Sequence, residues 1–76
     1  MKRFEYLVVY AENDRVLTAN GHWQGEIERD NDGDLESCPQ LFEYLAEAGA
    51  QGWDLVALDP EERGTVRLYF KRAHGV

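Results

Sequence analysis

The sequence predicts an α+β domain: an antiparallel β-sheet ordered β-β-(β)-α-β-β, with one amphipathic helix packed on one face. Three observations carry this. The run Ser37 to Leu58, SCPQLFEYLAEAGAQGWDLVAL, reads as a helix, a glycine stop and an immediate strand. Before it lies FEYLVVYA (4–11), and after it TVRLYFKR (65–72), both with strand alternation. Between the first strand and the helix sits Asn20-Gly21, the strongest two-residue hairpin signal.

Taken in order, Phe4, Tyr6, Val8 and Tyr10 share one face of the first strand, and Leu7, Val9 and Ala11 the other. Apolar character on both faces marks a central strand or a strand with a covered second face. Glu12-Asn13-Asp14 is turn chemistry, and Val16 to Ala19 makes the second strand of a hairpin. A short third strand from His22 to Ile27 follows, with Gly25 predicting a bulge or weak edge; an irregular excursion is the alternative. Residues 29–36 (RDNDGDLE) form a polar connector, read as a mobile acidic loop.

The helix is expected at about residues 38 to 51. Ser37 and Gln40 have capping-box spacing, and Pro39 falls in the first turn. Leu41, Phe42, Leu45, Ala48 and Gly49 form the apolar stripe, so Gly49 serves either as a close approach to the sheet or, with Gly52, as the stop. Trp53 to Leu58 is the next strand, 59–64 a hairpin loop, and Thr65 to Arg72 the last strand, beyond which the chain should fray.

With 76 residues there is room for one core, and a chain this short buries only about 60% of its unfolded surface. The single cysteine, Cys38, permits no internal disulfide. MKRFEYLVVY moves directly into a strand pattern and reads as a strand, not a secretory leader, so a cytoplasmic location is expected, with no membrane partner. Fifteen acidic against eight basic residues give a net charge of −7, which opposes binding to a phosphate backbone; no nucleic-acid partner is expected.

Motifs for chemistry are sparse. Asp30, Asp32 and Asp34 have the oxygen spacing that opens a calcium loop, but the sixth and twelfth positions are Leu35 and Leu41, where glycine and glutamate are needed. They stay weak metal candidates. Cys38 at a helix start could be a thiolate, yet His22 and His74 have no nucleophile–base spacing to it, and a small apolar filler is the better reading. Gly49 and Gly52 lie at a helix C-terminus, where the dipole repels anions. No cofactor and no catalytic residue are expected. Were the first and last strands to pair, Lys2, Arg3, Lys71 and Arg72 would gather at one end of the sheet, an anion site if they cluster and solvated strand ends if they do not.

The run LFEYLAEAGAQGWDLVA (41–57), flanked by the tyrosine-rich FEYLVVY and the closing LYFKR, resembles the small family catalogued as domain of unknown function 4177. The likeness spans nearly the whole chain; Asp54 stands where that family more often has glutamate. It implies a small α+β domain and no activity.

One helix cannot cover both faces of such a sheet. Leu7, Val9, Val56, Leu58 and Tyr69 are the residues expected on the uncovered side, with Trp23 as a further exposed aromatic. The expectation is a non-enzymatic interaction module that self-associates through its sheet as a homodimer and that could also hold another protein. The alternative is a small-ligand or divalent-metal accessory protein with its site near Trp23, His22 and Asp30 to Asp34.

Overall fold

The computed structural model describes residues 3–27 and 32–74, with the side chains of 32–34 and 74 left aside. Five strands form one antiparallel sheet: β1 (Arg3–Glu12), β2 (Arg15–Ala19), β3 (His22–Trp23), β4 (Asp54–Pro60) and β5 (Thr65–His74), in the spatial order β3-β2-β1-β5-β4. Among the described residues a single α-helix, α1 (Leu41–Ala50), packs against one face. The fold class is the expected one. At the centre, β1 and β5 pair over their full lengths from Arg3 with His74 to Glu12 with Thr65, so the last strand runs past Arg72 instead of fraying at Ala73.

Two tight turns fix the first three strands. Asn13 (φ 51°) and Asp14 (φ 65°) both take the left-handed region between Glu12 and Arg15, and Asn20 (φ 50°) and Gly21 (φ 82°) do so between Ala19 and His22. This is the turn geometry whose twist matches that of paired strands, and Asn, Asp and Gly supply it cheaply. Asn20 also accepts from the Val8 N–H through Oδ1 at 2.8 Å. The β1–β2 register slips between Tyr10 and Ala11, leaving Leu17 as the extra residue of a bulge. The bulge lets Val16 and Leu17, adjacent in sequence, both reach complete burial.

β3 is only His22–Trp23 long, shorter than the expected strand to Ile27. The chain leaves the sheet because Trp23 folds back over it: its Nε1–H donates to the Ile27 carbonyl at 2.9 Å, and the Ile27 N–H donates to Ser37 Oγ at 3.2 Å. A Cβ on Gly25 would stand 2.5 Å from that Oγ and 2.7 Å from the Trp23 Nε1. Gly25 is therefore a packing requirement. Residues Asp32–Ser37 form a 3₁₀ helix.

The helix starts three residues later than expected. Val16 N–H donates to the Pro39 carbonyl (2.9 Å) and Leu41 N–H to the Asp14 carbonyl (2.8 Å), so this stretch bridges extended to the start of β2. Gln40 is the N-cap with extended backbone and makes no side-chain cap bond, while Ser37 closes the preceding loop. The C-terminus is a Schellman stop: Trp53 N–H reaches the Ala48 carbonyl, Gly52 N–H reaches that of Gly49, and Gly52 takes φ 88°. Gly49 has no part in close packing, since a Cβ there would meet nothing within 4 Å.

The core lies between α1 and the β1–β2–β5 part of the sheet, built from Leu7, Val9, Ala11, Val16, Ala48, Leu68 and Phe70. Leu41, Tyr44, Leu45 and Trp53 pack on it half-buried, whereas Phe42, expected on the buried stripe, is 69% exposed. Burying Leu or Val completely stabilises by about 1.5–3 kcal/mol each. Val9 is fully buried and Leu7 nearly so. The expectation that they face outward is thus corrected: the helix sits on the face of Leu7, Val9 and Ala11, and the tyrosines alternate to the other side.

Candidate interaction surface

Cross-strand neighbours share a face, and the register therefore sorts the sheet completely. Phe4, Tyr6, Val8 and Tyr10 of β1 stand beside Ala73, Lys71, Tyr69 and Arg67 of β5, all opposite the helix. Among the described residues no second layer covers them. Phe4, Tyr6 and Val8 are exposed, with Tyr6 at 64%, and Tyr10 and Tyr69 are half-buried. Cations lie on this aromatic row: Lys71 Nζ stands 4.7 Å from the Phe4 ring centroid and the Arg67 guanidinium 5.9 Å from that of Tyr10. Arg67 also contacts Glu61 at 3.4 Å, an exposed pair worth little by itself. A shallow depression of about 790 Å³ at one end runs over Val8, Tyr10, Asn20, Glu61, Glu62 and Arg67.

The second open region is β4. All seven of its residues are exposed, and Leu55, Val56 and Leu58 are each about half accessible. It is an edge strand, and none of its residues belongs to or packs against the core under α1. Leu55 pairs with Phe70 and Leu58 with Leu68, so both leucines stand on the helix side but beyond its cover. A bulge separates these pairings.

Of the residues expected at the interface, Tyr69 lies on the open face, and Val56 and Leu58 lie on the open edge strand. Leu7 and Val9 belong to the core, and Trp23 is half-buried over its own loop. Phe4, Tyr6, Val8 and Leu55 are exposed as well and were not expected there. The alternation at positions 4, 6, 8 and 10 was the available signal; it defined two faces without saying which one the helix takes. Asp30 lies outside the described residues, as do the side chains of Asp32 and Asp34.

Among the described residues, the cations of the last strand do not gather. Lys2 lies outside the described residues; Lys71 and Arg72 point to opposite faces. Arg72 is held on the helix side by Glu5 (3.1 Å), by the Gln51 carbonyl (2.9 Å) and by stacking 4.1 Å from the Trp53 ring centroid. A cation at a helix C-terminus meets the negative end of the dipole. Cys38 is buried. Burial pushes the pKa of the Tyr44 hydroxyl above its ordinary value. Among the described residues no group of three His, Cys, Asp or Glu side chains could hold a metal ion, and no helix is long and apolar enough to cross a membrane.

Comparison with models of known families, with curated proteins and with solved structures returns no match.

Proposed function

We propose that the chain is a non-enzymatic protein-interaction module, acting in the cytoplasm, that self-associates through its sheet as a homodimer. One observation carries this reading: a single ten-residue helix covers part of one face, and Phe4, Tyr6, Val8, Leu55, Val56 and Leu58 remain exposed on a 76-residue chain. Apolar surface of that extent around one small core marks an interaction surface, and a second copy is the partner always present at matching concentration. Mixed charge around it, Lys71 and Arg67 against Asp54, Asp59 and Glu61, suits a protein surface and opposes a polyanion. The resemblance to domain of unknown function 4177 supplies no activity that would compete.

Light scattering across a concentration series, with and without calcium, tests the reading. A dimer mass that ignores calcium supports it. A folded monomer at every concentration overturns it, and calcium-dependent association favours a metal-linked accessory role.

A further inference from the structure

We infer that β4 is the contact itself, pairing antiparallel with the β4 of a second copy across a two-fold axis to make one continuous ten-stranded sheet. This rests on the self-association proposed above and names its geometry. The first argument is which backbone groups β4 leaves open. Asn13 N–H donates to the Gly64 carbonyl, which sets the phase of the β1–β5 ladder: Leu68 and Phe70 turn their backbone bonds toward β1. Thr65, Arg67 and Tyr69 therefore bond toward β4, as the Glu61 N–H to Thr65 carbonyl contact at 3.3 Å confirms for the first of them. Leu58 and Leu55, opposite Leu68 and Phe70, then turn their N–H and C=O groups away from β5, to the free edge. Without the bulge, residues three apart could not both do so.

The second argument is the sequence of the strand. Asp54-Leu55-Val56-Ala57-Leu58-Asp59 reads nearly the same in both directions. A two-fold antiparallel pairing places Leu55 against Leu58 of the partner subunit and Leu58 against the partner's Leu55, so the residues with open backbone groups meet each other. Their side chains join on one face into a cluster of four leucines. On the other face Asp54 meets Asp59 of the partner subunit, a like-charge contact, but the register puts Lys71 behind Asp54 and Arg67 behind Asp59. Each row across the junction thus holds two cations and two anions and is neutral. Edge strands usually carry bulges, charges and proline to prevent pairing. Here Pro60, opposite Val66 in the same phase as Leu58, presents no N–H to the edge and ends the pairing at Asp59, which confines it to the palindromic stretch.

Amide hydrogen exchange by NMR on the wild-type protein, at concentrations above and below the dissociation constant, tests the register without any substitution. The Leu55 and Leu58 amides are expected to gain protection on association while the Val56 and Ala57 amides, already directed to β5, change little. Leu58→Lys, on an exposed edge position, is expected to weaken association about tenfold or more, because the two-fold doubles its effect. Tyr6→Lys on the open face is expected to leave it unchanged. A dimer in which the Leu55 and Leu58 amides exchange freely, or that Tyr6→Lys dissolves and Leu58→Lys does not, overturns the edge geometry and leaves self-association standing. A monomer at every concentration removes both.

Discussion

Gly49 and Gly52 differ in what they do for the fold, and replacing each by alanine should move stability in opposite directions. Gly52 is held at φ 88°, and a Cβ there would meet only Arg72 Cδ at 3.6 Å, an ordinary contact. The whole penalty is conformational. A non-glycine residue in the left-handed region costs about 1–2 kcal/mol, and the stiffer unfolded chain returns about 0.4–1 kcal/mol of it. Gly52→Ala should therefore lose about 1 kcal/mol. At Gly49 the backbone is helical, the added Cβ touches nothing within 4 Å, and alanine is the better helix former by about 0.5–1 kcal/mol. Since 1 kcal/mol shifts the melting temperature of a domain this size by about 4–8 °C, the two variants should be separated by about 10 °C, on either side of the wild type. Thermal unfolding followed by circular dichroism, repeated with urea, reads the difference. Destabilisation by both variants to the same extent would refute the Schellman assignment of Gly52 and return Gly49 to a close contact with the sheet.

Three further outcomes follow from the same geometry. Val9→Asp should abolish the folded circular dichroism spectrum, since it places a carboxylate among fully buried side chains, whereas Val8→Asp, on the exposed face, should leave the spectrum intact; equal behaviour would mean the faces are misassigned. Arg72→Lys keeps the charge but cannot cover the Trp53 ring and reach Glu5 and the Gln51 carbonyl together, so stability should fall by about 1 kcal/mol and Trp53 emission should shift to the red. Tyr44 ionises above its ordinary value of 10.0 when folded. The unfolded chain thus releases that proton first, and stability should decline as the pH rises above 10, a decline that Tyr44→Phe should lessen in alkaline denaturation curves.

Local chemistry made much of this fold legible. Asn20-Gly21 named its hairpin and the apolar runs named β1, β4 and β5, whereas the strand order, with β1 and β5 paired at the centre, came only with the structure. What could not be read was decided by tertiary partners. β1 is apolar on both faces, and only the position of α1 makes Val9 core and Tyr6 surface. Ser37 has a capping residue's chemistry but is taken by the backbone of Ile27, and the true helix start is set by the Leu41 bond to Asp14, a partner far away in sequence. The bulges at Leu17 and Val56, which bring Val16 and Leu17 into the core together and turn Leu55 and Leu58 outward, are register events between strands. A single strand carries no record of them. The open surface was legible as a necessity of one helix on a five-stranded sheet, and its residues were only half identified for the same reason.

The pairing of β1 with β5 puts the earliest and the latest strand side by side in the middle of the sheet. During synthesis β1 therefore emerges long before β5, its neighbour on that side, and β5 must clear the ribosome before the sheet centre can close. Closing a loop that spans nearly the whole chain is slow compared with forming the Asn20-Gly21 hairpin. Until then the tyrosine-rich strand waits with one edge bare, and a chain cut short anywhere before Thr65 has no sheet centre to fall back on.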